Sequence, residues 1–344
     1  MNVLVTVAIA SYNNAPYIKR CIESVLAQTY QNLEILIVDD GSKDNSLEIV
    51  EKYKDDSRVR IVSKENGGLS TVRQFSIDHA KGEFVCFIDA DDYLQDNYVE
   101  VMLKKLLADN SDVCVCSTRF ENKDSSYIEN ASLFWKNIDS LTPYRSTPSF
   151  LSGIDGHEYN NLHLSDSWNK MYRLSSIRNS GVKFCMPKEL NGSDSLFNLL
   201  LALHELSYST VANDGYIHVI YPYSAVHRKC KNLNESYRII IEAMINEAVK
   251  LNSIDKYRYV ISKYWYLFQE DIFIDEYDTV GNWFNLFNKY RVLKQNQNKY
   301  AKALQLNKCR LDMAISRSSW CFLLLYKYSV GILPLYITLI KHNR

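Results

Sequence analysis

Residues 3–42 have the sequence VLVTVAIASYNNAPYIKRCIESVLAQTYQNLEILIVDDGS, and this stretch decides the fold of the N-terminal part. Residues 3–10 and 33–38 are continuous apolar runs of strand length, which is typical of strands buried on both faces. Between these runs, apolar residues recur at helical spacing, and Asn13 or Asn14 is the expected N-cap. The stretch therefore predicts a strand, a helix and a second strand.

The same alternation continues along the chain. Apolar runs at 59–62 and 84–88 predict two more buried strands. Two further helices are expected between the strands, one behind a cap at 42–44 and one over residues 69–80. Strands that alternate with helices favour an α/β fold with a doubly wound, mostly parallel sheet and helices on both faces.

Polar motifs follow three of the predicted strands. They are SYN at 11–13, DDGS at 39–42 and DADD at 89–92. In open α/β sheets, ligands bind beyond the carboxyl ends of the strands, so these motifs are expected to meet at one edge.

Composition excludes several classes of protein. Lys plus Arg and Asp plus Glu both total 40, so no net field draws the chain to nucleic acid or to acidic membranes. The eight cysteines include no C-x-x-C pair and are interpreted as reduced thiols. The N-terminal run lacks the features of a signal peptide, which predicts a cytoplasmic location. Neither a G-x-G-x-x-G nor a P-loop motif occurs, which argues against dehydrogenases and P-loop enzymes.

Three domains are predicted, namely an α/β half at 1–120, a second half at 121–234, and a helical, aromatic-rich extension at 235–344. Residues 120–165 read as a loop-rich insertion. Residues 319–341 form an amphipathic pattern, which predicts peripheral contact with the inner face of the cell membrane. The alternative is a helix docked on the core.

The acidic cluster at 89–92 is the sharpest chemical signal. Three carboxylates crowded after a buried strand repel one another unless a cation neutralises them. Mg²⁺ or Mn²⁺ takes carboxylate oxygens as ligands and fills its other positions with phosphate and water. The cluster therefore suggests a bound metal and diphosphate, and the alternative is a solvated acidic turn.

SYN at 11–13, CIESVLAQTY at 21–30 and LEILIVDDGS at 33–42 together resemble the family 2 glycosyltransferases, closely over about residues 3–120. The resemblance implies the GT-A fold and transfer of a sugar from a nucleotide-sugar, of which a UDP-sugar is expected here. By this resemblance, Ala10 and Tyr12 border the nucleobase, Asp40 binds uracil or its ribose, and Asp39 supports Asp40. Asn66 belongs to the same nucleotide-sugar site.

The resemblance also assigns the diphosphate side. Arg73 matches the nucleotide-side arginine of the family, and Asp89-Ala90-Asp91 matches its D-x-D motif. Asp91 would be the direct metal ligand, with Asp89 on the ribose or a metal-bound water. Asp92 is expected to cap the next helix.

NGSDSLF at 191–197 resembles the family segment in which the aspartate is the general base, so Asp194 takes that role. The resemblance thus implies that 1–120 is the nucleotide-sugar-binding half and that 121–234 is the acceptor-side half with the catalytic base. Ser193 stands where the family usually has glutamate, and this departure puts acceptor binding in question. Asp166 and Glu189 are the next candidates for the base.

Four residues are assigned to the acceptor or the diphosphate. Trp168 could stack on a sugar and lies beside Lys170, although a buried tryptophan is at least as good an interpretation. His227 and Arg228 form a basic patch that would close over the diphosphate or, through His227, add a metal ligand. The alternative is an exposed basic loop.

Taken together, these features predict an inverting transferase that uses a UDP-sugar, Mn²⁺ or Mg²⁺, and a glycan or lipid-linked saccharide acceptor. Assembly of an extracellular or capsular polysaccharide, or of another glycan, is the expected setting, and a homodimer is one assembly to test. One rival is a haloacid-dehalogenase-type phosphatase, because residues 87–91 imitate its Asp-x-Asp strand end. The other is a non-catalytic binding relative that keeps only the fold.

Overall fold

The computed structural model of the 344-residue chain describes residues 2–122, 166–221, 233–257 and 261. These residues fall into two compact units. The first unit holds residues 2–122 and 166–221, and the second holds the described residues from 233 onward.

Four parallel strands form one half of the sheet in the first unit. They are β1 (Val5–Ser11), β2 (Leu33–Asp39), β3 (Val59–Ser63) and β4 (Phe84–Asp89). Their order across the sheet is β3-β2-β1-β4, and each neighbouring pair is parallel. Each strand lies within two residues of the predicted apolar run, which confirms the parallel α/β architecture.

The second half of the sheet mixes parallel and antiparallel pairs. It contains β5 (Tyr93–Leu94), β6 (Val113–Asn122), β7 (Lys170–Arg173) and β8 (Tyr208–Ile220), which continue the sheet from β4 in the order β7-β6-β8-β5. β7 is antiparallel to both β4 and β6, whereas β6 and β8 run parallel. The sheet is therefore parallel over β1–β4, the strands predicted from sequence, and mixed over β5–β8.

Six helices are described in this unit. They are α1 (Ile18–Leu26), α2 (Ser46–Glu51), α3 (Leu69–His79), α4 (Tyr98–Asp109), α5 (Leu174–Ser180) and α6 (Ser193–Leu203). The buried residues of α1 are Ile18, Cys21, Ile22 and Val25, whose spacing makes one apolar face.

Alternate residues of β2 pack on opposite faces of the sheet. Ile35 and Ile37 share a cluster with residues of α1, α2 and α4. Leu36 and Val38 instead pack with Val72 of α3. Helices thus cover both faces, as the sequence predicts, and each fully buried aliphatic side chain contributes roughly 1.5–3 kcal/mol.

The predicted cap of the first helix is wrong. α1 begins at Ile18 with Tyr17 at the N-cap position, and no side chain caps it. Asn13 has a positive φ of 54°, a conformation that asparagine tolerates, and its side-chain oxygen accepts a hydrogen bond from Lys43 N at 2.8 Å. The asparagine therefore fixes the turn after β1 instead of the helix.

In the second unit, α7 spans Leu233–Lys250. Its buried residues Ile240, Met244 and Ala248 recur every four positions, and Arg238 pairs with Glu235 and Glu242 on the same helix. The predicted insertion beyond residue 122 and the terminal segment 319–341 lie outside the described residues. None of the described helices has the length and apolar character that crossing a membrane requires.

Candidate active site

The ends of three parallel strands bring the predicted donor residues to one edge of the sheet. Ser11 faces Asp39 in the pairing of β1 with β2, and Ala10 faces Asp89 in the pairing of β1 with β4. Ala90 N donates to Ala10 O at 3.3 Å just past the end of β4. The edge therefore holds main-chain positions of four predicted donor residues.

A buried arginine links this edge to the predicted base. Arg73, on α3, is 1% exposed. Its Nη2 donates to Asp89 Oδ1 at 2.8 Å, and its Nη1 donates to Asp194 Oδ1. The guanidinium also lies about 6 Å from the rings of Phe87 and Phe184. One cation thus holds two carboxylates that are 105 residues apart in sequence.

Asp194 is fixed from two sides at the start of α6. Besides Arg73 on Oδ1, the backbone N–H of Ser167 donates to its Oδ2 at 2.8 Å. A carboxylate in the first turn of a helix is also favoured by the helix dipole. The oxygens of the predicted base therefore have defined directions.

The neighbouring residue adds a second link between α3 and α6. Ser193 Oγ and Ser70 Oγ lie 2.7 Å apart, one turn from the contact between Arg73 and Asp194. A hydroxyl pair of this kind carries no net charge. The position where the family has glutamate thus joins the two helix starts without a second acid beside Asp194.

Asp40 organises the loop at 64–68. Its Oδ1 accepts from Lys64 Nζ at 2.5 Å and from Gly67 N at 3.0 Å, and its Oδ2 accepts from Asn66 Nδ2 at 3.1 Å and from Gly68 N at 2.7 Å. Both oxygens of the buried carboxylate are therefore engaged. A hydrogen-bond donor of uracil or ribose would have to replace one of these partners.

Two glycines allow that loop to close on Asp40. Gly41 has a φ of +72° in the turn after β2. Gly68 has a φ of +84°, and a Cβ there would lie 2.5 Å from the Cβ of Lys188. The predicted tight turn at Gly41 is present, and Gly68 permits a close approach that the sequence analysis missed.

Asp39 and Ser11 keep buried polar atoms without a partner. Asp39 Oδ2 accepts from Ser42 N at 3.1 Å and from Ser63 Oγ at 3.2 Å. Asp39 Oδ1 and Ser11 Oγ are buried and make no hydrogen bond within the described part of the chain. Tyr12, which follows Ser11, is 44% exposed. Buried polar atoms without partners favour a polar ligand at this point.

Asp91 fits a metal ion better than its neighbours do. Burial and the adjacent carboxylates of Asp92 and Asp89 raise its pKa to about 7. Apart from its own backbone, no described residue donates a hydrogen bond to the Asp91 carboxylate. Within the described ranges, no group of three or more His, Cys, Asp or Glu side chains is arranged to hold a metal. A metal here would therefore rely on Asp91 and Asp89 with donor phosphates and water.

Asp92 does not cap the next helix, so that prediction is wrong. α4 begins at Tyr98, with Asn97 at its N-cap. The fully buried Asp92 accepts instead from Tyr216 Oη at 2.7 Å and from Val219 N at 2.9 Å, both on β8, and lies 3.0 Å from His218 Nδ1. A carboxylate that finds three partners on a distant strand is more strongly held there than at a helix end.

His218 carries a raised pKa in this cluster. Burial of its ring opposes protonation, but the charge of Asp92 and the contact with it outweigh burial and raise the pKa to about 9. Trp168 stacks on the His218 ring at 5.2 Å and on the Tyr216 ring at 4.7 Å, and is 7% exposed. The indole is part of the core here, and its contact with an acceptor stays a prediction.

Lys170 is buried as well, at 1% exposure. Its Nζ donates to Asp166 O at 2.5 Å and to Asn169 Oδ1 at 2.8 Å, and burial lowers its pKa to about 8. These bonds shape the loop whose Ser167 N–H reaches Asp194. The other two residues assigned to acceptor or diphosphate, His227 and Arg228, lie outside the described residues.

A family model and known proteins with similar sequences match this chain. The model of the family described as Glycosyl transferase family 2 matches residues 6–181. The putative glycosyltransferase EpsH of Bacillus subtilis is 32% identical over 289 residues, covering 83% of this chain and 81% of EpsH. Chondroitin synthase of Pasteurella multocida is 45% identical over 129 residues, which cover 37% of this chain and 13% of the synthase.

Solved structures share the fold. The crystal structure of S. aureus TarS 1-349 in complex with UDP-GlcNAc aligns with a TM-score of 0.69 at 18% identity, covering 97% of this chain and 89% of that one. The crystal structure of TarS 1-349 in complex with UDP aligns with a TM-score of 0.58 at 19% identity, covering 96% and 85%. The described sheet is therefore that of a GT-A protein.

Proposed function

The chain belongs to glycosyltransferase family 2, and we propose that it transfers a sugar from a UDP-sugar to an acceptor hydroxyl with inversion at the anomeric carbon. One observation carries the proposal. Arg73 joins the predicted base, Asp194, to the D-x-D residue Asp89 through a single buried guanidinium. The group that takes a proton and the group that faces the diphosphate are thus held near each other at one sheet edge.

A uridine nucleotide is supported on the donor side. Asp39 Oδ1 and Ser11 Oγ are buried acceptors without described partners, and they suit the N–H and hydroxyl groups of uridine. Tyr12 beside them offers an exposed ring, bordered by Ala10. The TarS structures that share the fold are complexes with UDP-GlcNAc and UDP. We therefore assign uridine to the edge formed by β1 and β2, with Asp40 and Asn66 shaping the adjacent loop.

The diphosphate is assigned to the turn after β4. Asp91, together with Asp89, would hold Mn²⁺ or Mg²⁺, with His227 as a third ligand. A bound divalent ion neutralises charge on the departing diphosphate. Asp91 supplies a carboxylate without another described partner, Asp89 is oriented by Arg73, and Ala90 fixes the turn to β1. Arg228 is proposed to add positive charge to this side, as is His227 in the alternative in which it closes over the diphosphate instead of binding the metal.

Asp194 is assigned as the general base. Arg73 orients its Oδ1 and the Ser167 N–H orients its Oδ2, so its free lone pairs point in fixed directions. In the proposed reaction, a carboxylate oxygen of Asp194 takes the proton of the acceptor hydroxyl. The acceptor oxygen, having lost its proton, attacks the anomeric carbon from the side opposite the diphosphate, and the bond between this carbon and UDP breaks.

The acceptor is proposed to be a glycan or a lipid-linked saccharide in polysaccharide assembly. The names of similar proteins, chondroitin synthase and hyaluronan synthase, support a saccharide product. Ser193 replaces an acid beside the base, so an acceptor here would meet the Ser70–Ser193 hydroxyl pair. Trp168 and Lys170 lie in the core beneath this proposed acceptor side.

The chain is further proposed to work in the cytoplasm, with residues 319–341 at the inner membrane face.

Family membership argues against the phosphatase alternative, whose nucleophile would be Asp89. That carboxylate is engaged by Arg73.

The remaining alternative is a relative that binds a nucleotide-sugar without turning it over. An experiment separates this binding protein from a transferase. The full chain is incubated with a panel of UDP-sugars and Mn²⁺, and release of UDP is measured. Slow donor hydrolysis is expected with one or a few donors. UDP-sugar binding without release would favour the non-catalytic alternative.

A further inference from the structure

Arg20, on α1, contacts the turn at 89–92, which is proposed to bind the metal; Arg20 itself is not among the proposed site residues. Its Nη2 donates to the backbone oxygen of Asp91 at 2.6 Å. The same nitrogen donates to Tyr221 Oη at 3.1 Å, and the guanidinium lies 4.6 Å from the centre of the Tyr93 ring. Arg20 forms no ion pair with the carboxylates at 89–92 within the described chain, so it acts on the backbone of the turn.

This contact matters because the turn is electrostatically unfavourable. Asp89, Asp91 and Asp92 crowd one turn. Asp89 is paired with Arg73, and Asp92 is bonded to residues of β8. The carboxylate of Asp91 has no such partner among the described residues apart from its own backbone. A guanidinium on the Asp91 carbonyl places a positive charge beside the turn and holds the peptide group between Asp91 and Asp92. Arg20 thus holds the backbone next to the Cα atom from which the Asp91 side chain projects.

The geometry of Arg20 is itself well determined. Tyr93, directly after the turn, supports one face of the guanidinium. Tyr221 holds the same nitrogen and stacks on Tyr17, the N-cap residue of α1, at a ring distance of 4.3 Å. Three elements, α1, the turn after β4 and the end of β8, thus meet at one side chain.

We propose that Arg20 is a positioning residue for the proposed donor diphosphate, acting through the Asp91 backbone. The inference rests on the proposed function, since it presupposes that Asp91 binds a metal with UDP. Residues that orient metal ligands typically change metal affinity by roughly 10- to 100-fold when removed. Both acceptors lie on Nη2, whose two N–H groups have fixed directions in the guanidinium plane, whereas the ammonium of lysine rotates freely.

The test is calorimetric titration of the full chain with UDP in the presence of Mn²⁺ and, separately, with uridine alone. Arg20→Gln is expected to weaken UDP binding by roughly 10- to 100-fold while leaving uridine affinity unchanged. Arg20→Lys should give an intermediate UDP affinity, because it keeps the charge and N–H donors but loses the planar guanidinium. The matched control is Lys19→Gln, which removes an exposed cation from the adjacent position of α1 and should bind both ligands as the wild type does.

Tyr221→Phe separates the two hydrogen bonds of Arg20. It removes the contact with Tyr221 but keeps that with Asp91, so UDP affinity should stay near the wild-type value. A loss of UDP affinity equal to that of Arg20→Gln would overturn the proposal, because the contact with Tyr221, after β8, would then account for the effect of Arg20. Equal weakening of uridine and UDP in Arg20→Gln would also overturn it, since that is the result of a merely structural role.

Unchanged UDP affinity in Arg20→Gln contradicts the proposal while leaving the proposed function intact. Absence of Mn²⁺-dependent UDP binding in the wild type contradicts both. Melting temperature is measured for every variant. If Arg20→Gln does not fold, Arg20→Lys decides, with a selective loss of UDP affinity expected and wild-type UDP affinity contradicting the proposal.

Discussion

Arg73 on α3 forms an ion pair with Asp194 on α6, across 121 residues of sequence. Because the arginine is buried and also holds Asp89, the pair fixes the distance between the proposed base and the proposed metal-binding turn. A removed partner would leave a buried charge without compensation, which costs several kcal/mol. The arrangement therefore makes the relative position of the two carboxylates a property of the folded chain.

Metal dependence is the first prediction. Asp91→Ala, or chelation with EDTA, should abolish transfer and weaken UDP binding, because the diphosphate would then lack the metal charge that neutralises it beside an acidic turn. Asp96→Ala removes an exposed acid close to the same turn and serves as the control, with wild-type activity expected. Activity is measured as UDP release with and without Mn²⁺. Full activity in EDTA would contradict the assignment.

The second prediction concerns the stability of the metal-free chain against pH. The pKa of His218 is raised from 6.5 to about 9, so its contribution is fully present below about pH 6.5 and is lost as the pH rises through about 9. The wild type should therefore lose stability over this range, by at most about 3 kcal/mol, relative to His218→Gln. Urea unfolding at several pH values measures the difference. Parallel curves for the two proteins would show that His218 is not charged against Asp92.

Membrane attachment is the third prediction. If residues 319–341 bind the inner membrane face, deletion from Ser319 onward should move the protein from the membrane fraction to the supernatant. Sedimentation of cell extracts measures this, and the UDP affinity of the truncated chain checks that the donor site is intact. Unchanged sedimentation would mean that this segment does not attach the chain to the membrane.

The parallel half of the fold could be predicted from sequence because its signals are local. Each of the four strands is a short apolar run, and a side-chain pattern of this kind is set within a few residues. The edge where Ser11, Asp39 and Asp89 meet follows directly from the parallel order. The motifs also lay within the segment that the family model matches.

The remaining features depend on contacts between distant residues. Asp92 was assigned to a local helix cap, but its partners lie 124 to 127 residues later on β8. The pair of Arg73 and Asp194 could not be derived from spacing for the same reason. One signal was available: Arg73 interrupts the apolar face of α3 beside Val72 and Ile77, and a charge on such a face needs a partner. The Arg20 contact leaves no comparable signal, because its acceptor is a backbone oxygen.

The assignment of Asp194 as the base of a UDP-sugar transfer is tested by Asp194→Asn. Asparagine keeps the size of the side chain and one acceptor oxygen, which can serve either Arg73 or the Ser167 N–H, so donor binding should persist, with a stability loss of about 1–3 kcal/mol. Glu189→Gln and Asp166→Asn are matched controls and should retain turnover.

The decisive measurement is the turnover number of Asp194→Asn with a UDP-sugar and Mn²⁺, alongside its UDP affinity. Turnover is expected to fall by roughly 10²- to 10⁴-fold, with UDP affinity near the wild-type value. Turnover close to wild type in Asp194→Asn, or its collapse in one of the two controls instead, would mean that another residue is the base.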